Sequence, residues 1–359
     1  MRNRICLLLC LLLLVPVPAA WAAELPRELT DALPPEAASL VEETSAEGEG
    51  GLLAGLSHLG RRAAEEFRRL FRQELRGGVI LLAAALLCGV FETLRGEGEE
   101  GGGKIVTMAG ALVITAAAAG DVRSLLGLGA QSVEQLELFA QTLLPTLAAA
   151  AAAGGAAVTA GMGEIATVYF TGVLISLIRR LLLPAVGLYV VLAAAGAVLP
   201  EHDLKGLRTG VSRLVTVVLT ALLVVFTTAL TLFRAAGSAA DGAALRLTRS
   251  AISTAVPVVG GIISDAAGSV LAGAMALKGA VGVFGMLGVL SVCLLPFVRL
   301  AVQYLVYKLT AMLASVVGSR PLVELIDSLG SAFGLVLGMT GACALLLLIS
   351  VATFVSVVT

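Results

Sequence analysis

Residues 209–233 read TGVSRLVTVVLTALLVVFTTALTLF, and Arg213 is the only charge among them. A run this long and apolar meets the ~17–25 residues that a helix needs to cross a bilayer. Open strands in hydrocarbon would leave backbone groups unpaired at a cost of several kcal/mol each. Working outward, comparable runs occupy 78–94, 104–120, 165–178, 181–199, 279–298, 300–317 and 329–358. From residue 77 to the end only 29 of 283 residues are charged. The whole chain of 359 residues is 58% hydrophobic and 14% charged, against roughly 25% charged residues in a soluble domain. The alternation of a membrane barrel is absent. The predicted fold class is all-α, a polytopic helical membrane protein. A net charge of −1 and 4% aromatic residues argue against nucleic-acid binding by bulk electrostatics or base stacking.

Residues 1–23 read as a signal peptide, with Arg2 and Arg4 ahead of the apolar core Ile5 to Val15 and a small-x-small pattern at Ala20-Trp21-Ala22. This predicts a mature N-terminus outside the cytoplasm. Residues 24–54 carry eight acids against one base, Arg27, and read as an acidic extracytoplasmic linker with too little apolar surface to order itself. In 55–76 six arginines alternate with apolar residues at a spacing of 3–4, which predicts a basic amphipathic helix. Its expected place is the membrane interface, with docking to a partner ectodomain as the alternative. The remainder, 77–359, is the polytopic domain. Cys6 and Cys10 belong to the signal, and Cys88, Cys293 and Cys343 sit in apolar runs without metal or disulfide spacing.

Two further stretches are apolar but rich in helix breakers. Residues 143–163 read LLPTLAAAAAAGGAAVTAGMG and 256–277 read VPVVGGIISDAAGSVLAGAMAL. Pro145, Gly154 and Gly155 in the first, and Pro257 and Gly260 in the second, leave two readings, thin helices packed inside the bundle or broken, re-entrant segments lining a cavity. Pro145 and Pro257 are 112 residues apart, as are Pro184 and Pro296, and Gly161 and Gly273. That offset predicts an internal duplication, about 104–207 and 216–319. The span count then falls between seven and ten. If the breaker-rich stretches do not cross, Arg95, Lys104, Arg179, Arg180, Arg234, Arg246, Arg249 and Arg320 all face the cytoplasm, as the positive-inside tendency favours.

Chemistry is sparse. The two histidines, His58 and His202, lie in polar segments, and no HExxH, GxSxG, Walker A or dinucleotide fingerprint is present. No catalytic, cofactor or metal site is expected, and the chain reads as no enzyme. Ionisable groups inside apolar runs are the better pointers, because they are costly there. These are Glu164, Asp265 and Lys278, with Arg213, Arg299 and Lys308 beside or within other spans. Glu164, Asp265 and Lys278, together with the breakers and Pro296, form the candidate pathway or packing residues. Asp265 and Lys278 either pair or line a polar passage, or they mark interfacial turns and snorkel to water.

Residues 254–285, TAVPVVGGIISDAAGSVLAGAMALKGAVGVFG, resemble the most characteristic stretch of the stage III sporulation protein AE family. LLPTLAAAAAAGGAAVTAG (143–161), CLLPFVRLAVQYLVYKLTA (293–311) and LVELIDSLG (322–330) resemble it too. The resemblance implies a multi-pass subunit of a channel complex in the mother-cell membrane around the forespore. Implied partners are other stage III A-operon proteins, including a secretion-type ATPase and ring-forming proteins, and a forespore membrane protein across the gap, besides membrane lipids. The alternative from the residues is a self-sufficient secondary transporter with a midplane site made by the broken helices.

Overall fold

The computed structural model describes residues 51–95, 100–199, 204–255 and 260–356, without the side chains of 51–54, 93, 95, 100–104, 245–255, 260–280 and 356. The signal peptide, nearly all of the acidic linker and Pro257 lie outside the described residues. The described chain is helical, with no strand in it, as the apolar runs require. Helix α1 is Gly51–Arg95, α2 Glu100–Ala153, α3 Ala157–Val198, α4 Lys205–Ala255, α5 Gly260–Ala314 and α6 Arg320–Ser356.

Close approaches fix the arrangement. Gly282 against Val355, Gly334 against Tyr304 and Gly330 against Tyr307 set α5 and α6 antiparallel. Gly285 against Leu143 and Gly288 against Phe139 set α2 antiparallel to α5. Gly78 beside Val306 and Gly89 beside Val317 run α1 parallel to α5. Gly163 meets Phe354, and Gly196 meets Leu204. One end of the bundle therefore gathers the α1–α2, α3–α4 and α5–α6 connections, and the other end holds the α2–α3 turn. Phe139, Phe226, Phe333, Ile114, Leu125 and Leu136 fill the centre. At ~1.5 Å per residue the helices are roughly twice as long as the ~30 Å hydrocarbon core. Exposed apolar side chains occur in both halves, with Val79, Leu87 and Leu112 toward one end and Ile165, Val168 and Tyr169 toward the other.

Among the described residues six helices are long and apolar enough to cross a membrane. Runs read as separate spans are fused. Residues 165–178 and 181–198 form one helix through Arg179 and Arg180, and 279–298 and 300–314 form another through Arg299. Arginine is a good helix former, so a charge between two apolar runs need not end the helix. The π-helical turn Ile178–Leu182 lies just ahead of Pro184. Widening that turn relieves the clash and missing N–H that proline brings. Residues 55–76 likewise continue into 78–94 within α1.

Pro145 lies inside α2, and the chain turns instead at Gly154–Ala156, where Gly155 takes φ 90°. That conformation suits glycine alone. The break does not recur 112 residues on, because 265–269 is internal to α5. Pro184 and Pro296 do each sit within a long helix. Arg234 packs near Thr159 and Phe354, at the opposite end from Arg320, so the basic residues do not all gather on one side.

Candidate functional site

The apolar side of the basic helix is used within the chain. Ala63, Phe67, Leu70 and Phe71 pack on Val298, Val302 and Val306 of α5, and the Phe67 and Phe71 rings stack with centroids 5.7 Å apart. The neighbouring arginines Arg61, Arg68, Arg72 and Arg76 consequently face outward. On α2, Leu125, Val133, Leu136 and Phe139 are buried, so the intervening polar residues fall on the flank toward α1 and α5.

A polar seam results. Arg299, Gln303 and Tyr307 recur every fourth residue along α5 and share one face, and Ser291 lines the same cleft as Arg299. The Tyr307 hydroxyl donates to Asp121 Oδ2 of α2 at 2.7 Å. Gln303, 2% exposed, turns its amide to the Glu74 carboxylate of α1, which also lies within electrostatic reach of Asp121 and Arg299. Farther along, α1, α2 and α5 enclose a cleft of about 290 Å³ lined by Glu66, Arg69, Gln131, Gln135, Ser291, Pro296 and Arg299. Arg69 pairs with Glu66 at 2.7 Å. Across α5, Lys308 Nζ donates to Asp327 Oδ1 at 2.6 Å and to Ser331 Oγ at 2.8 Å. Arg179 approaches Glu134 at 3.9 Å.

Tyr307→Phe removes a hydrogen bond to a charged acceptor, worth about 2 kcal/mol, while keeping the ring contact with Phe333 at 5.2 Å. Its thermal midpoint in detergent is expected to fall below wild type; an unchanged midpoint would show that the bond to Asp121 contributes nothing.

Two other polar constellations lie at the ends. Asp241 of α4, 7% exposed, accepts from the backbone N–H groups of Val158 and Thr159, both at 2.9 Å, and from the Thr159 hydroxyl at 2.7 Å. It supplies the start of α3, immediately after the Gly154–Ala156 turn, with the acceptor that the first turn of a helix lacks. At the opposite end Lys205, Arg208 and Arg320 approach Glu324 at 3.9, 3.7 and 3.3 Å around a cleft of about 360 Å³.

Of the residues singled out in the sequence, Pro296, Arg299 and Lys308 lie in or beside the seam. Pro145, Gly154 and Gly155 belong to the α2–α3 hairpin, and Glu164 sits half-buried on α3. Gly260 opens α5, and Asp265 and Lys278 fall along its first half, with their side chains outside the described residues. Glu74, Asp121, Gln303, Tyr307, Asp327 and Asp241 were missed. The every-fourth-residue polar stripe from Arg299 to Tyr307 was the signal available. Among the described residues no three His, Cys, Asp or Glu side chains gather where they could hold a metal. The arrangement can bind and orient polar groups inside an apolar bundle.

The family model described as stage III sporulation protein AE matches residues 39–358. The stage III sporulation protein AE of Bacillus subtilis (strain 168) is 21% identical over 265 residues, which is 73% of this chain and 66% of that protein. The match thus spans just under two thirds of that relative's length. No solved structure matches the chain.

Proposed function

From the premise that this chain belongs to the stage III sporulation protein AE family, we propose that it is a non-enzymatic subunit of a sporulation channel complex. It sits in the mother-cell membrane around the forespore and supports late forespore development. The observation that carries this reading is a family match covering all the described residues, among which six helices are long and apolar enough to span a bilayer. The polar seam supports this reading, because half-buried carboxylates such as Glu74 and Asp121 between packed helices are costly unless they serve a pathway or a partner. Its partners are other stage III A-operon proteins, among them a secretion-type ATPase and ring-forming proteins, and a forespore membrane protein across the gap.

Affinity purification of the tagged chain from sporulating cells is the test. It should recover the ATPase and ring proteins, and deletion should arrest the forespore late, with rescue by the wild-type gene. Recovery of the chain alone, together with normal spores from the deletion, would overturn the reading. The seam also gives a self-sufficient secondary transporter its best case, although its polar groups lie on continuous helices rather than on broken ones. That reading requires solute flux in liposomes holding this chain alone; absence of flux there, with partners recovered from cells, decides for the subunit.

A further inference from the structure

We propose that the cleft between α1, α2 and α5 binds a small anion bearing a phosphate or carboxylate group, with Arg299 as its principal anchor. The idea deepens the conduit reading and rests on it for its purpose, but not for its geometry. The cleft, about 290 Å³, is at the small end of the ~300–1,000 Å³ usual for small-molecule sites, so it suits a compact solute or headgroup and not a peptide.

Charge gives the sign. Two guanidinium groups, Arg69 and Arg299, and one carboxylate, Glu66, line the space. Glu66 pairs with Arg69, although its buried Oε2 accepts no hydrogen bond, while Arg299 has the Glu74 carboxylate within electrostatic reach but no ion pair within 4.0 Å among the described residues. A guanidinium presents a fork of donors that matches phosphate and carboxylate oxygens.

The neutral groups agree with that sign. Gln131 and Gln135 bring amides from α2, and Ser291 brings a hydroxyl from α5. Serine and threonine hydroxyls in helices commonly turn back to the carbonyl four residues earlier, as Thr310, Ser328 and Thr340 do in this chain. Ser291 does not. It is 7% exposed and its Oγ has no partner, so a buried hydroxyl able to donate is left at the wall of the cleft that the exposed Arg299 side chain also lines. An anion that accepts from both satisfies both. The same chemistry could come from a soluble metabolite or from an anionic phospholipid.

The test uses the full chain in nanodiscs. In phosphatidylcholine discs, radiolabelled inorganic phosphate and succinate are titrated as probes. In phosphatidylglycerol discs, the same probes are titrated and the retained lipid is counted after detergent exchange. Saturable binding of either soluble probe in the first discs supports a soluble ligand. Retained phosphatidylglycerol that blocks both probes supports a headgroup. In either case Arg299→Gln should weaken binding at least tenfold and Ser291→Ala about threefold, with melting temperatures near wild type. Lys205→Gln, in the other cleft, should bind as wild type does. No saturable binding of any of the three, or equal binding by wild type and Arg299→Gln, would overturn the site. Intact partner recovery in that event would leave the subunit reading standing.

Discussion

Asp241→Ala is expected to lower the thermal midpoint of the detergent-solubilised protein by several degrees and to expose the α2–α3 hairpin to protease. One carboxylate serves three donors there, two backbone N–H groups and the Thr159 hydroxyl. Losing a helix cap alone costs about 0.5–2 kcal/mol, and a buried donor without an acceptor costs roughly 1–3 kcal/mol. With partial rehydration, a net loss of about 3 kcal/mol follows. Asp241→Asn keeps one oxygen acceptor and should recover about half of it. The pairing also holds α3 and α4 together, since a Cβ at Gly237 would lie 2.6 Å from the Thr159 Cα. Equal midpoints and equal proteolysis of wild type and Asp241→Ala would show that the cap does not hold the hairpin.

Gly89→Val should be at least as damaging. A Cβ at residue 89 would overlap the Val317 carbonyl oxygen and lie 2.9 Å from the Gly318 Cα. Those atoms are backbone and cannot swing aside, so α1 must shift away from the end of α5. Overpacking of this kind costs about 1–3 kcal/mol, sometimes more, and a branched residue against backbone belongs at the upper end. The measurement is the monodisperse yield after size-exclusion chromatography, with Gly120→Val as the control because a Cβ at Gly120 meets nothing within 4 Å. Wild-type yield from Gly89→Val would mean that α1 does not sit where described.

The helical class was legible from one stretch, 209–233, because hydrocarbon leaves an apolar segment few alternatives. The polar and apolar sides of 121–142 were legible too, since 3.6 residues per turn places Leu125, Leu136 and Phe139 together. Where helices end was not. Pro145 and Pro296 are accommodated within helices, whereas the Gly154–Gly155 pair makes the turn, because only the pair gives the backbone freedom to reverse. Arg179, Arg180 and Arg299 read as separators between spans and proved to be mid-helix residues whose side chains reach the surface. The seam was half legible. Its α5 stripe is local, but Tyr307 meets Asp121 from 186 residues away, and Asp241 meets Thr159 from 82 away. Such pairs exist only once helices pack, so no local pattern marks them. The offset of 112 predicted two matching halves, which the described helix boundaries do not establish.

Six crossings are tested most directly by sided cysteine labelling in intact cells. Single cysteines at Glu97, Gly155, His202, Val258 and Gly318 would be placed in a chain whose own Cys88, Cys293 and Cys343 are replaced. Positions 97, 202 and 318 should react only after the membrane is permeabilised, and 155 and 258 should react from outside without it. Labelling of 155 from the same side as 97 would contradict the bundle as a six-span membrane domain.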